Sequence, residues 1–125
     1  MLINFSEISS QNWSEEQTET AKLHFGEVTD LPFPQINPKW TLEQVEELAG
    51  EVFMDILKDI EFGKFTKENL TIHIIGELTF CYVMINMFKN SNIRCVASTT
   101  ERTVIEEKDG KKTVQFKFVQ FRDYL

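Results

Sequence analysis

Leu70-Thr71-Ile72-His73-Ile74-Ile75-Gly76-Glu77-Leu78-Thr79 decides the fold. A mostly apolar, β-branched run stops at one glycine and passes straight into a helical pattern, as when a central parallel strand hands over to its crossover helix. From Glu77 to Lys89, the residues Leu78, Phe80, Cys81, Tyr82, Val83, Met84, Ile85, Met87 and Phe88 leave almost no polar face. Such a helix needs cover on nearly all sides, from a sheet on one and a partner subunit on the other.

Upstream, Thr41-Leu42-Glu43-Gln44 is a capping box, and Leu42, Val45, Leu48, Val52, Phe53, Ile56 and Ile60 recur at helical spacing behind it. Before it, Glu27 to Leu31 reads as a strand ended by Pro32 and Pro34. Ser14-Glu15-Glu16-Gln17 caps an earlier helix that stops near Phe25-Gly26, and Leu2 to Phe5 is a short buried strand followed by the polar loop Ser6 to Asn12. Gly63 to Asn69 reads as a loop. Downstream, Ile93 to Ala97 is a fourth strand, followed by Ser98 to Arg102 and by two β-rich runs around Asp109-Gly110, a hairpin signal.

The order βαβαβαβ plus a hairpin, with right-handed crossovers, predicts an α/β chain: a small Rossmann-like three-layer sandwich, its mostly parallel sheet closed by a C-terminal antiparallel β-hairpin. A parallel order of 2-1-3-4 puts the topological switch between the first and third strands. A ligand then belongs outside their carboxyl ends, at Ser6 to Asn12 and Gly76 to Thr79, with Ser98 to Arg102 next door.

The composition agrees with one domain over residues 1–125. The 125 residues are 42% hydrophobic with 11 Phe, enough for a core, and 26% charged without repeats, which excludes disorder and solenoids. Net charge is −7, which opposes binding to duplex DNA. The charge is uneven: residues 1–70 carry 5 Lys/Arg against 14 Asp/Glu, and residues 71–125 carry 8 against 6, leaving the second half able to hold a small phosphate-bearing ligand. The apolar start, Met1 to Phe5, is far short of a signal sequence or a membrane span, so a cytoplasmic protein is expected. Cys81 and Cys95 sit inside apolar runs and read as reduced, buried side chains, with neither a disulfide framework nor a zinc site.

Chemistry-bearing groups are few. The Gly76-Glu77-Leu78-Thr79 turn offers free backbone N–H groups and a positive helix end to an anion, though Glu77 reads first as a favourable capping residue in the first helical turn. Ser98-Thr99-Thr100-Glu101-Arg102 sets three hydroxyls and a guanidinium where they can grip a phosphate or ribose; a plain turn into the hairpin is the alternative. Ser9, Ser10 and Gln11 are loop residues that serve either purpose. His24 and His73 read as structural, and Trp13, Trp40, Phe116, Phe118 and Phe121 as core packing before nucleic-acid stacking. Metal-ligand spacing, a dinucleotide fingerprint and a nucleophile elbow are all absent from the sequence, so no cofactor is expected and chemistry has to rest on positioning and charge stabilisation.

Gly76-Glu77-Leu78-Thr79-Phe80-Cys81-Tyr82, Ala97-Ser98-Thr99-Thr100-Glu101-Arg102 and Val119-Gln120-Phe121-Arg122-Asp123-Tyr124, with the opening Asn4-Phe5-Ser6, resemble small stand-alone CRISPR-associated proteins of Rossmann-like (CARF-type) fold, proposed ring nucleases of type III systems. The resemblance covers the last 50 or so residues and the first strand. Two positions depart from it: Glu77 puts a carboxylate at the phosphate site, and Glu101 stands where a basic residue is expected. The resemblance implies a homodimer whose two sites meet at a twofold axis and hold a cyclic oligoadenylate. It also implies metal-independent cleavage, a ribose 2′-hydroxyl attacking the adjacent phosphate. Arg102, Thr100 and Thr99 are then the catalytic candidates, and Ser6, Ser9, Ser10, Gln11, Gly76, Glu77, Leu78, Thr79 and Ser98 the ligand-binding ones. The alternatives are a sensor or adaptor of the same fold that binds without turnover, and a dimeric interaction protein with no nucleotide site.

Overall fold

The structure is a computed structural model that describes residues 1–125, the side chain of Lys67 excepted. Strands β1 (Leu2–Ser6), β2 (Val28–Asp30), β3 (Thr71–Ile75), β4 (Arg94–Glu106) and β5 (Lys112–Asp123) form one sheet in the order β2-β1-β3-β4-β5. All neighbours are parallel except β4 and β5. The parallel part has the expected order, with the switch between β1 and β3. The helices are α1 (Glu15–Phe25), α2 (Leu42–Glu61) and α3 (Leu78–Asn90).

The helix starts are those the caps dictate. Thr41 accepts from the Gln44 amide while its own N–H donates to Gln44 Oε1 at 2.9 Å, a complete capping box at the head of α2. At α1 the serine half is present, Ser14 Oγ accepting from Gln17 N–H at 3.2 Å. Gly26 closes α1 at φ +83°, a conformation that favours glycine.

Period-two alternation sends side chains to both faces of the sheet. Ile3, Phe5, Ile72 and Ile74 pack under α2 and α3 with Val45, Ala49, Ile56, Phe80, Met84 and Phe88, the larger core. Leu2 and Val96 pack on the opposite face with Ala21 of α1, flanked by Trp13, Phe25, Val28 and Phe121. Helices cover both faces, and the small Rossmann-like three-layer sandwich is the result. No described helix is long and apolar enough to cross a membrane.

At Ser98 to Arg102 the structure departs from the sequence reading. These residues do not leave the sheet after the fourth strand: they continue β4, paired with β5 in one long hairpin. Thr99, Thr100, Thr103, Val104 and Ile105 are β-branched, and this propensity outweighs the polar, turn-like look of the segment. The pairing shifts once, Thr99 opposing Gln120 and Thr100 opposing Phe118, so Val119 is bulged out. Within one chain the sheet covers the inner side of α3, and Leu78, 85% exposed, and Tyr82, 70% exposed, remain on its outer side.

Gly76 has a packing reason. A Cβ there would run into the ring of Phe33. That ring is fixed by Phe5 and Phe80, at centroid distances of 5.1 and 5.4 Å. Gly76→Ala is expected to lower unfolding free energy by about 1–3 kcal/mol through overpacking. Gly50→Ala, where an added Cβ meets nothing within 4 Å, should instead raise it by up to about 1 kcal/mol by helix propensity. Urea denaturation of both variants checks the contrast.

Candidate functional site

Asp30, Asn4 and His73 are register partners on β2, β1 and β3, so the three side chains form one row across the α1 face of the sheet. Two residues beyond the register partner of His73, Val96, Ser98 completes the row on β4. Asn4 Nδ2 donates to Asp30 Oδ1 at 2.7 Å and to the Ile8 carbonyl at 2.9 Å. Its two amide hydrogens are therefore used, and Asn4 Oδ1 can only accept. It receives Ser6 Oγ–H at 2.7 Å and lies 2.9 Å from His73 Nδ1. His73 must then carry its proton on Nδ1, and in the neutral ring Nε2 accepts from Ser98 Oγ–H at 3.0 Å.

Burial holds this ring neutral: it lowers the His73 pKa from 6.5 to about 4. Trp13 and Phe121 stand edge-on to the imidazole, at centroid distances of 5.4 and 5.5 Å. Burial pushes the Asp30 carboxyl up, but hydrogen bonds from Ser10 and Asn4 outweigh it and keep the group below the usual carboxylate value. Ser10 supplies both its hydroxyl, 2.6 Å from Oδ2, and its N–H, 3.0 Å from Oδ1.

Above the row opens a cavity of about 460 Å³, at the carboxyl ends of β1 and β3 and beside β4. Ser6, Ser98 and Thr100 give it hydroxyls, Trp13, Phe116 and Phe118 give it aromatic walls, His73 lies at its floor, and Glu7 is the one charged residue in the lining. The bulge at Val119 brings Phe121 to the same face: Phe118 and Phe121 oppose Thr100 and Ser98, two positions apart on β4, and Phe121 packs behind the wall against Trp13, His73 and Phe118.

The sequence-predicted residues divide between several places. Ser6, Ser98 and Thr100 line this cavity. Arg102 is exposed on the same face of β4 as Thr100, opposite Phe116, one step past the wall. Thr99 alternates to the other face, where its hydroxyl donates to the Gln120 carbonyl at 3.3 Å. Ser9 caps the short turn Ser10–Asn12, Ser10 is tied to Asp30, and Gln11 borders a separate depression beside α1. Glu77 takes the capping role: its Oε2 accepts Phe80 N–H at 2.7 Å, so a carboxylate already sits on the orphan amides of α3. Gly76 and Leu78 face a groove of about 620 Å³ on the far side, and Thr79 is exposed.

Cys81 and Cys95 are buried free thiols. Burial pushes both up to about 12, with the Glu77 and Glu7 carboxylates adding to the effect at Cys81. They stay protonated and unreactive at neutral pH. The closing residues that carry the resemblance anchor the sheet. Asp123 holds Arg94 in a two-pronged ion pair of 2.6 and 3.0 Å, and Tyr124 OH donates to the Ile74 carbonyl at 2.6 Å. Among the described residues no three of His, Cys, Asp and Glu gather as a metal site requires.

A family model covers residues 3–122, nearly the whole fold. The chain belongs to the family described as Uncharacterized protein MJ1673 family. No curated protein and no solved structure gives a significant match. The span shared with the MJ1673 family takes in the complete row from Asn4 to Ser98.

His73 and Asn4 escape a sequence reading because neither residue signals a site alone and 69 positions separate them. The only hint is polarity, an Asn and a His at inward positions of two otherwise apolar strands.

The depressed His73 pKa gives a stability prediction. Below about pH 6.5 the unfolded chain takes up a proton that the folded chain refuses until about pH 4. Stability from this group is thus full above 6.5 and falls toward 4, by up to about 1.4 kcal/mol per pH unit. His73→Gln is expected to flatten that part of the profile relative to the parent, measured as melting temperature from pH 7 to 4.

Proposed function

We propose that the protein binds a cyclic oligoadenylate, the second messenger of type III CRISPR antiviral signalling, and cleaves it without a metal by attack of a ribose 2′-hydroxyl on the neighbouring phosphate. One observation carries the reading. At the topological switch of a Rossmann-like sheet, where such folds hold nucleotides, the chain forms a cavity that joins aromatic faces to hydroxyls. Trp13, Phe116 and Phe118 are suited to an adenine ring, and Ser6, Ser98 and Thr100 to ribose and phosphate oxygens. Arg102, opposite Phe116 on the cavity face of β4, is the cation proposed for the phosphate, and among the described residues the lining itself holds none. The MJ1673 family description names no activity, so the ligand's identity rests on this cavity and on the resemblance of the Ser98-to-Arg102 and Phe121-to-Tyr124 segments.

A homodimer belongs to the same proposal. Leu78 and Tyr82 leave an apolar strip on α3, continuous with the groove lined by Ile75, Ile85, Tyr124 and Leu125. Ile75 lines both this groove and the cavity, so a second copy seated on α3 brings two cavities toward one twofold axis, as a ring ligand needs.

The test is incubation with cyclic tetra-adenylate and cyclic hexa-adenylate in EDTA, followed for products and thermal shift. Linear products are the expected result, with Arg102→Ala weakening binding by about 10-fold or more, as loss of a charge-assisted phosphate contact requires. A thermal shift without products leaves a sensor that binds but does not cleave. Neither product nor shift with either ring overturns the reading, and a monomer in sedimentation at micromolar concentration overturns the dimer.

A further inference from the structure

We propose that Ser98 Oγ is an activated hydroxyl, its proton drawn to His73 Nε2, and that it receives the proton of the attacking 2′-hydroxyl in the cavity. The second half of this inference rests on the ring-cleavage reading; the first does not. Hydrogen-bond accounting carries it. Asp30 and the Ile8 carbonyl consume both amide hydrogens of Asn4, the amide oxygen fixes the imidazole proton on Nδ1, and the free Nε2 lone pair faces Ser98 Oγ at 3.0 Å. A reacting hydroxyl, a base, and a neutral amide that orients the base stand in series, and because burial keeps the imidazole neutral down to about pH 4, Nε2 takes the proton only as the new bond to phosphorus forms. The series ends where it can act. Asn4 and His73 are 1 and 2% exposed, whereas Ser98 is partly open and lines the cavity.

With its own hydrogen on Nε2, Ser98 Oγ offers lone pairs to a substrate hydroxyl. As the 2′-oxygen bonds to phosphorus and the P–O5′ bond breaks, the 2′-proton passes to Ser98 Oγ and the Ser98 proton passes to His73 Nε2. The 5′-oxygen leaves with a proton from water, the product end carries a 2′,3′-cyclic phosphate, and the imidazolium returns its proton to solvent. In this step Ser98 touches the substrate and is the catalytic residue. His73 and Asn4 are positioning residues that act through it.

Two measurements separate this inference from the reading beneath it. The first uses no nucleotide: the protein is treated with an alkyl fluorophosphonate, whose phosphorus bonds to an activated serine oxygen as fluoride leaves and Nε2 takes the proton. The expected result is single labelling at Ser98, absent in Ser98→Ala and about 100-fold slower in His73→Gln. Should His73→Gln fail to fold, Ser98→Cys replaces it: its new thiol should react with iodoacetamide well before the buried Cys81 and Cys95. Labelling of Ser98 at the rate of an ordinary exposed serine, or at an unchanged rate in His73→Gln, overturns the inference. The second measurement is ring cleavage by Ser98→Ala, expected to fall about 100-fold in kcat, well beyond any accompanying loss of ligand affinity. Cleavage by Ser98→Ala at the parental rate overturns the proton transfer while the ring-cleavage reading stands. His73-dependent labelling in a protein that binds neither ring removes that reading and leaves Ser98 an activated hydroxyl.

Discussion

The constraint on which the rest of the structure depends is the polar row that crosses the centre of the sheet. Asn4 and His73 are almost fully buried, and a buried amide or imidazole left without partners costs about 1–3 kcal/mol per lost group. Every buried side-chain polar atom among the described residues has a partner. That condition is met because Asp30, Asn4 and His73 lie in register on three adjacent strands. A one-residue slip of β1 against β3 would turn Asn4 toward Phe80 and strand His73. The row thus selects one register where the apolar residues around it, Ile3, Phe5, Ile72 and Ile74, would tolerate several.

Much of the fold is legible in the chain because local and global signals agree. Thr41 and Gln44 announce α2, Gly26 ends α1, and the apolar run before Gly76 announces a central strand. The exception, Ser98 to Arg102, is instructive. Three hydroxyls and a Glu-Arg pair look like a turn because strands are usually recognised by buried alternation, and here both faces beyond Ser98 are exposed. What holds these residues extended is β5, whose pairing with β4 runs from Val96–Asp123 to Glu106–Lys112. Pairing across a hairpin is non-local information. The cover of α3 was likewise half legible: Phe80, Met84 and Phe88 sit under the sheet, while Leu78 and Tyr82 wait on the outer side.

The candidate site was legible as a region and not as a constellation. The switch-point argument led to Ser6, Ser98 and Thr100, because topology alone places the carboxyl ends of β1, β3 and β4 together. It also led to Glu77, and there the ordinary capping chemistry of a carboxylate at a helix start prevails. His73 reads as structural in the sequence, and its buried ring with both nitrogens partnered fits that reading. Its meaning comes from Asn4 and Ser98, which lie 69 and 25 residues away and meet it only through sheet register. The place of Phe121 was hidden by the bulge. Counting by two from Phe116 puts Phe118 on one face and Phe121 on the other, and only the extra residue at Val119 reunites them.

The cavity itself follows from an inequality between the two helical layers. On one face α2, of 20 residues, and α3, of 13, pack over Ile3, Phe5, Ile72 and Ile74. On the other, α1 has 11 residues and stands alone, roughly 16 Å of helix at 1.5 Å per residue. It covers Leu2 and Val96 near the amino ends of the parallel strands and leaves the carboxyl ends, where Ser6, His73 and Ser98 lie, without a helix above them. Bare sheet there would expose apolar backbone neighbours to water. The gap is instead walled by Trp13, which precedes the α1 cap, and by the phenylalanines of β5, which the long hairpin carries back over the face. A shallow opening over a satisfied polar row results, dry enough at its floor to keep His73 neutral and open enough at Ser98 to meet a ligand. A longer α1 would pack this face better and close the cavity, so the missing helical cover is the structural condition for the opening above the row.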